Sequence, residues 1–254
     1  MKKLTSTIIA LLIGHVLFAQ GVRFATSGTI EFEKKVNMYA ILQKRVTKDN
    51  ESFYAAYIDS YKKKNPQFKT FKSTLAFSDN KTLFTPVEDE NGPNNLIGGQ
   101  SVQYNTIFTD VFAHASITQK HVFEETFLVK DSTRKINWKL TSETREIAGY
   151  TCRRANALVM DSIYVVAFYT DQIPVSGGPE SFMGLPGMIL GVALPHENVT
   201  WFATKVTDAP VVDNALRAPN KGKPVNNAQL KARLQTALKS WGSYANETFK
   251  ALLL

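Results

Sequence analysis

Two histidines, His114 and His121, stand either side of the stretch ASITQK, with Asp110 and Glu124 close by in sequence. If that stretch turns a hairpin, the two imidazoles face one another and form a weak site for a transition metal; the same spacing is also that of ordinary strand or turn histidines. The single cysteine, Cys152, sits in YTCRRAN. It is either a buried structural thiol or, if exposed beside Arg153 and Arg154, a reactive one with a lowered pKa, and alone it allows no intrachain disulfide. Residues 177–194, GGPESFMGLPGMILGVAL, hold no His or Cys and only one carboxylate, Glu180. That stretch by itself is therefore no triad, zinc site or acid/base pair. No nucleophile elbow, HExxH, CxxC or phosphate-cradling glycine loop occurs in the chain. These residues call for no catalytic group and no cofactor, and for no metal beyond the weak His114 and His121 pair.

What residues 177–194 specify is shape. Pro186 has no N–H and a fixed φ, while Gly184 and Gly187 permit positive φ or a close backbone approach, so the chain can stop one segment and enter a buried strand at Met188. Gly178, Pro179, Phe182, Met183, Gly184, Leu185, Pro186, Gly187, Met188 and Ile189 are the candidate binding residues. Two readings are open: a tight turn that sets the register of a core strand, and a recognition loop. On the second, Phe182 and Met183 sit at the tip of a short excursion and touch a partner; on the first they plug the core. Phe182→Ala separates them, since either binding or stability falls.

The elements that must carry these residues are mostly strands. From Gly28, Ile30, Phe32, Val36 and Met38 share one face and Glu31, Glu33, Lys35 and Asn37 the other, as in a long strand with one wet side. Near Asn50 the period changes, and Phe53, Tyr54, Tyr57, Ile58 and Tyr61 follow helical spacing until Pro66, with Lys62, Lys63 and Lys64 suited to the helix C-terminus. Hairpins are expected at 74–85, turning at Asp79 and Asn80, and at 157–169, turning at Asp161 and Ser162. Further strands at 106–113, 121–129, 135–142, 150–159, 188–194 and 199–206 complete an antiparallel meander. Residues 86–100 read as a long loop that either covers a cavity or runs over the surface. A helix from about 227 carries Leu230, Leu234, Leu238 and Trp241 along one stripe, to be buried on the sheet or on a partner. Long meandering strands with few helices must close, stack or be covered. The expected fold is mainly β: a strongly curved antiparallel sheet or half-barrel with two packed α-helices, a two-sheet sandwich being the alternative.

With 254 residues, 44% of them hydrophobic and 20% charged, the chain has the composition of a globular domain. Lys2 and Lys3 precede an apolar run at 8–18 followed by Ala19 and Gln20, which reads as a signal peptide over 1–20 and leaves 21–254 as one domain. The run is shorter than the ~20 residues a membrane span takes, and no cysteine follows it to carry a lipid. Loss of Lys2 and Lys3 lowers the formal charge from +8 to +6. The remaining basic residues are scattered and lack the aromatic interleaving of a nucleic-acid surface, so nucleic acid is not an expected partner.

The run GPESFMGLPGMIL, with Trp138 upstream, ETREIAGYTCRRA at 143–155 and YVVAFYTDQIP at 164–174, resembles the GLPGLI family of exported Bacteroidota proteins. The resemblance spans residues 136–206 and departs from the namesake motif at Met188, where Leu is usual, a volume-conserving exchange. It implies a companion of outer-membrane receptors and transporters and brings no established catalytic residues. The expected function is that of a noncatalytic binding protein, periplasmic or outer-membrane-associated, partnered by an outer-membrane transporter or another envelope protein. A carrier sheltering a lipid or other apolar ligand in the curved sheet is the alternative; a hydrolase with no motif visible in sequence is the second.

Overall fold

A computed structural model of the chain describes residues 24–87, 103–242 and 244–254. The expected signal peptide, and all but Pro86 and Val87 of the expected loop at 86–100, lie outside the described residues. Two meanders make one sheet. The first runs β1 (Ser27–Asn37), β2 (Phe68–Ser78), β3 (Lys81–Pro86), β4 (Thr106–Asp110), β5 (Ala115–Val122) and β6 (Glu125–Ser132). The second runs β7 (Lys139–Ile147), β8 (Tyr150–Val159), β9 (Ile163–Thr170), β10 (Met188–Leu194) and β11 (Val199–Thr207). They join where β1 pairs with β11, and a short β12 (Lys223–Val225) adds to β6 in parallel. The sheet is thus twelve-stranded, mostly antiparallel, in the order β12-β6-β5-β4-β3-β2-β1-β11-β10-β9-β8-β7, and is not closed into a barrel.

The sheet curls, as contacts between strands far apart in its order show. β7 is four strands from β11, which in a flat sheet would separate them by roughly 19 Å. Yet the Arg145 guanidinium of β7 lies 4.7 Å from the ring centre of Phe202 on β11. On the opposite, Trp201 side, Lys34 of β1 and Lys120 of β5 are also four strands apart and both come within electrostatic reach of Glu180. Alternation along β1 buries Ile30, Phe32, Lys34 and Val36, with Glu31 and Lys35 exposed between them. β9 and β10 are buried almost continuously, as strands covered on both faces must be.

Four helices cover the sheet. α1 (Met38–Lys44) follows β1 directly, with Asn37 accepting from Ala40 N as its cap, and α2 (Glu51–Lys64) takes the aromatic stretch expected to be helical. The single expected C-terminal helix is two: α3 (Asn227–Ala237) and α4 (Tyr244–Leu253). α3 opens on a capping box between Asn226 and Gln229 and on an Asn227 N–H donated to Asp131 at 2.8 Å. It buries Leu230, Leu234 and Leu238 as the stripe requires, while Trp241 stays 39% exposed against Phe123.

The strand expected at 121–129 is corrected. ASITQK is not a turn but most of β5, and the hairpin turns at Phe123 and Glu124, with Phe123 at φ +55°. Ser116, Thr118 and Lys120 looked like turn chemistry because they face a cavity rather than an apolar core. The strand expected at 135–142 begins at Lys139; ahead of it Arg134 and Trp138 bond loop and helix carbonyls instead of entering the ladder.

Candidate functional site

Residues 171–187 link β9 to β10 and pack on the Trp201 side. Met188 N donates to Ile173 O at 3.0 Å and Ile189 N to Gly177 O at 2.8 Å, so β10 begins inside the fold of its own loop. Trp138 Nε1 donates to Met183 O at 2.9 Å and Gly184 N to Ser176 Oγ at 3.1 Å, which pins the outer rim. Of the candidate residues, Gly178, Pro179, Phe182, Leu185, Gly187, Met188 and Ile189 are buried, Met183 is half-buried, and Gly184 and Pro186 are exposed. Gly187 has φ +143°, and a Cβ there would sit 2.1 Å from Thr170 O. Gly184 has φ +94° with its nearest neighbour, Trp138, 3.7 Å away. Gly187→Ala is therefore expected to destabilise the fold by more than ~3 kcal/mol, and Gly184→Ala by only about 1–2 kcal/mol from backbone conformation. Urea denaturation of the two variants side by side checks the contrast.

The loop's one carboxylate turns inward. Glu180 holds φ +52°, an uncommon conformation for a residue with a Cβ, and its side chain is 9% exposed. Lys34 Nζ approaches it to 4.0 Å and Asn105 Nδ2 donates to it at 3.4 Å. Lys34 also lies 4.8 Å from the ring centre of Trp201, its cross-strand partner, and Phe182 meets the same indole edge-on at 5.9 Å. Lys120 Nζ donates to Gln103 Oε1 at 3.3 Å and to Leu252 O, at the end of α4, at 2.8 Å. Arg134 Nη2 reaches Leu253 O at 2.6 Å and Leu254 O at 3.3 Å, and Ser181 Oγ donates to Leu254 O at 2.9 Å.

Two cavities adjoin this cluster. One, of about 80 Å³, has Lys34, Asn105, Glu180 and Trp201 in its wall together with apolar Ile41 and Phe182 and charged Lys44, Glu197, Glu247 and Lys250. The other, of about 370 Å³, lies over β5 and β6 and has Lys120 and Arg134 in its wall. Asn105 and Leu254 line both, so the end of α4 is the partition.

Burial lowers the pKa of Lys34, with Glu180 opposing. Lys120 falls to about 8, again chiefly by burial, with Glu180 holding it up and Arg134 and Lys34 pushing it down. Burial raises Glu180, although Lys34 and Lys120 favour its charge. Arg134 is lowered by desolvation. The nearby hydroxyl, Ser181, donates to Leu254 O.

With this geometry in view, residues 158–191 match a family model described as a protein of unknown function (Porph_ging). The matched stretch is β9, the loop and the start of β10, including Glu180 and Phe182; Lys34, Lys120 and Arg134 lie outside it. Among solved structures, PNGF-II in one crystal form aligns over 82% of this chain at 18% identity, with a TM-score of 0.52. In a second form it aligns over 81% at 15% identity, with a TM-score of 0.53. The alignment takes in 33% and 32% of PNGF-II, so this chain spans about a third of that protein's length. The likeness is one of fold. An uncharacterized conserved protein from Thermus thermophilus aligns over 84% of this chain and 98% of its own at 4% identity, with a TM-score of 0.40. No curated protein matches the sequence.

The histidines do not meet. His114, at φ +51°, precedes β5 and His121 lies near its other end, roughly 23 Å of strand away, where it hydrogen-bonds Thr126. Among the described residues no three of His, Cys, Asp and Glu converge as metal ligands. Cys152 is fully buried, and burial pushes its thiol up to about 12. The residues missed from sequence are Lys34, Lys120, Arg134, Asn105 and Trp201. Lys34 carried a signal: it interrupts the apolar face of β1 between Phe32 and Val36, where a charge needs a partner.

Proposed function

We propose that this chain is an exported, noncatalytic binding protein that shelters an apolar or amphiphilic ligand on the Trp201 side of its sheet. The observation that carries the reading is the hollow at Trp201, whose wall mixes apolar residues with charged and amide side chains, and where Asn105 Oδ1 is buried without a hydrogen-bond partner among the described residues. An enclosed acceptor of this kind marks where water or a ligand atom belongs, and convergent polar groups beside apolar ones are what a small-molecule site consists of. The leader-like first twenty residues and the GLPGLI-like motif support export to the periplasm, free or at the outer membrane. A second reading, recognition of an outer-membrane transporter or another envelope protein, draws on the exposure of Gly184 and Pro186 at the rim of the loop.

The test is gentle purification of the tagged chain from its native envelope, followed by native mass spectrometry. A bound lipid-sized mass, released on unfolding, is the expected result. A stoichiometric envelope protein with no small molecule would move the function to the rim of the loop. A bare chain that turns over a compound in a substrate screen would overturn both readings in favour of a hydrolase.

A further inference from the structure

Resting on that reading, we propose that the end of α4 occupies the head-group site of an anionic, single-chain amphiphile, and that such a ligand binds by displacing it. Lys120, Arg134 and Ser181, from β5, the segment after β6 and the β9–β10 loop, converge on the main-chain oxygens of Leu252, Leu253 and Leu254. The last carbonyls of a helix have no partner within it and carry the negative end of its dipole, so they are a partial stand-in for an anion. The helix-end carbonyls of Leu252 and Leu253 carry partial charge only, whereas Lys34 and Lys120 have the carboxylate of Glu180 near them and Arg134 pushes against Lys120. Arg134 also keeps Nε buried and without a partner among the described residues, although a guanidinium offers Nε and Nη together to a two-oxygen anion.

The helix does apolar duty as well. Leu252 is buried among Val129, Leu230 and Leu234, and Leu254 divides the two cavities. Docking leaves Thr248 Oγ1 buried and unpartnered, a penalty that undocking relieves. With the leucines withdrawn, the cavities of about 80 and about 370 Å³ become one trough, charged at Lys120 and Arg134, polar at Ser116 and Thr118, and apolar at Ile107, Val129, Leu230 and Phe182. A carboxylate or phosphate monoester meets the donors, and its chain takes the volume the leucines leave.

The experiment uses the whole chain with palmitate, dodecyl phosphate or uncharged hexadecanol, read by amide hydrogen exchange and by Trp fluorescence. Expected are faster exchange across 244–254 with slower exchange across 116–122, hexadecanol weaker than palmitate by about tenfold or more, and a similar loss for Arg134→Met. The ratio of palmitate to dodecyl phosphate affinity tells a carboxylate from a phosphate site. A variant lacking residues 244–254 binds more tightly; if it does not fold, the exchange data on the whole chain decide alone. Palmitate bound with exchange in α4 unchanged overturns the displacement and leaves the carrier standing. No amphiphile bound by the whole chain or the shortened one overturns both.

Discussion

Phe182→Ala is expected to lower the stability of the fold by about 3–5 kcal/mol, the range for truncating a fully buried aromatic ring. Phe182 is 1% exposed and meets Trp201 edge to face at 5.9 Å. The loop around it leaves no slack for collapse, because a Cβ on Gly178 would already stand 2.5 Å from Phe182 O. The void left by the ring would open beside Trp201 and Lys34, removing the aromatic contact and part of the wall that keeps water from the buried ion pair. Urea denaturation is the measurement: the midpoint should fall with the slope unchanged. Pro186→Ala, at an exposed position of the same loop, is the matched control and should move the midpoint little. A small loss at Phe182 with impaired binding of an envelope protein would instead make its ring a partner contact.

What the sequence discloses of this fold depends on how each element spends its inward face. β1, β2, β8, β9 and β10 turn apolar side chains inward, so alternation or continuous apolar runs mark them, and the hairpins at Asp79 and Asp161 announce themselves by turn residues that accept positive φ. β5 inverts that rule. Its inward Ser116, Thr118 and Lys120 line a cavity, and a strand that faces a cavity is polar on the side where pattern reading looks for leucine. The candidate site was hidden for the same reason. Glu180 stood out as the loop's one acid, but its partners come from β1, β5 and the segment ahead of β4, far apart in sequence and adjacent only because the sheet curls. Lys34 was the legible exception, a charge at an apolar register position. The break between α3 and α4 was hidden by a stripe that continues through Leu238 and Trp241, although Trp241 leaves the core to stack on Phe123.

Lys120→Met should stabilise the protein near neutral pH while weakening anion binding by about tenfold or more, because the ammonium is held in a place that disfavours its charge. The folded pKa is about 8 against an ordinary value of 10.5. At pH 7 that difference corresponds to a charging penalty of ~3 kcal/mol in the fold. Methionine keeps much of the volume and removes the penalty, but forfeits the bonds to Leu252 O and Gln103 Oε1, leaving a net gain of about 1–2 kcal/mol. The pH dependence fixes the sign. Between about 8 and 10.5 the unfolded lysine keeps a proton that the folded one has released, so the unfolded state binds more protons and this lysine's contribution to stability rises with pH. The variant has no such rise, so its advantage should reach zero within that window and reverse by its top, where only the forfeited bonds still count. Burial also raises Cys152 to about 12 and lowers Lys34, and both titrations bend each curve, but they largely cancel in the difference between wild type and variant. Urea-derived stabilities from pH 6.5 to 10.5 test this: curves that stay parallel would mean that Lys120 is not held below its ordinary pKa. Glu180, Arg134 and Lys34 face the ammonium, and Glu180 alone among them favours its charge. A bound anion beside the ammonium would raise the Lys120 pKa and bind more tightly as pH falls below 8. A residue whose removal strengthens the fold and weakens the complex is placed there for the ligand.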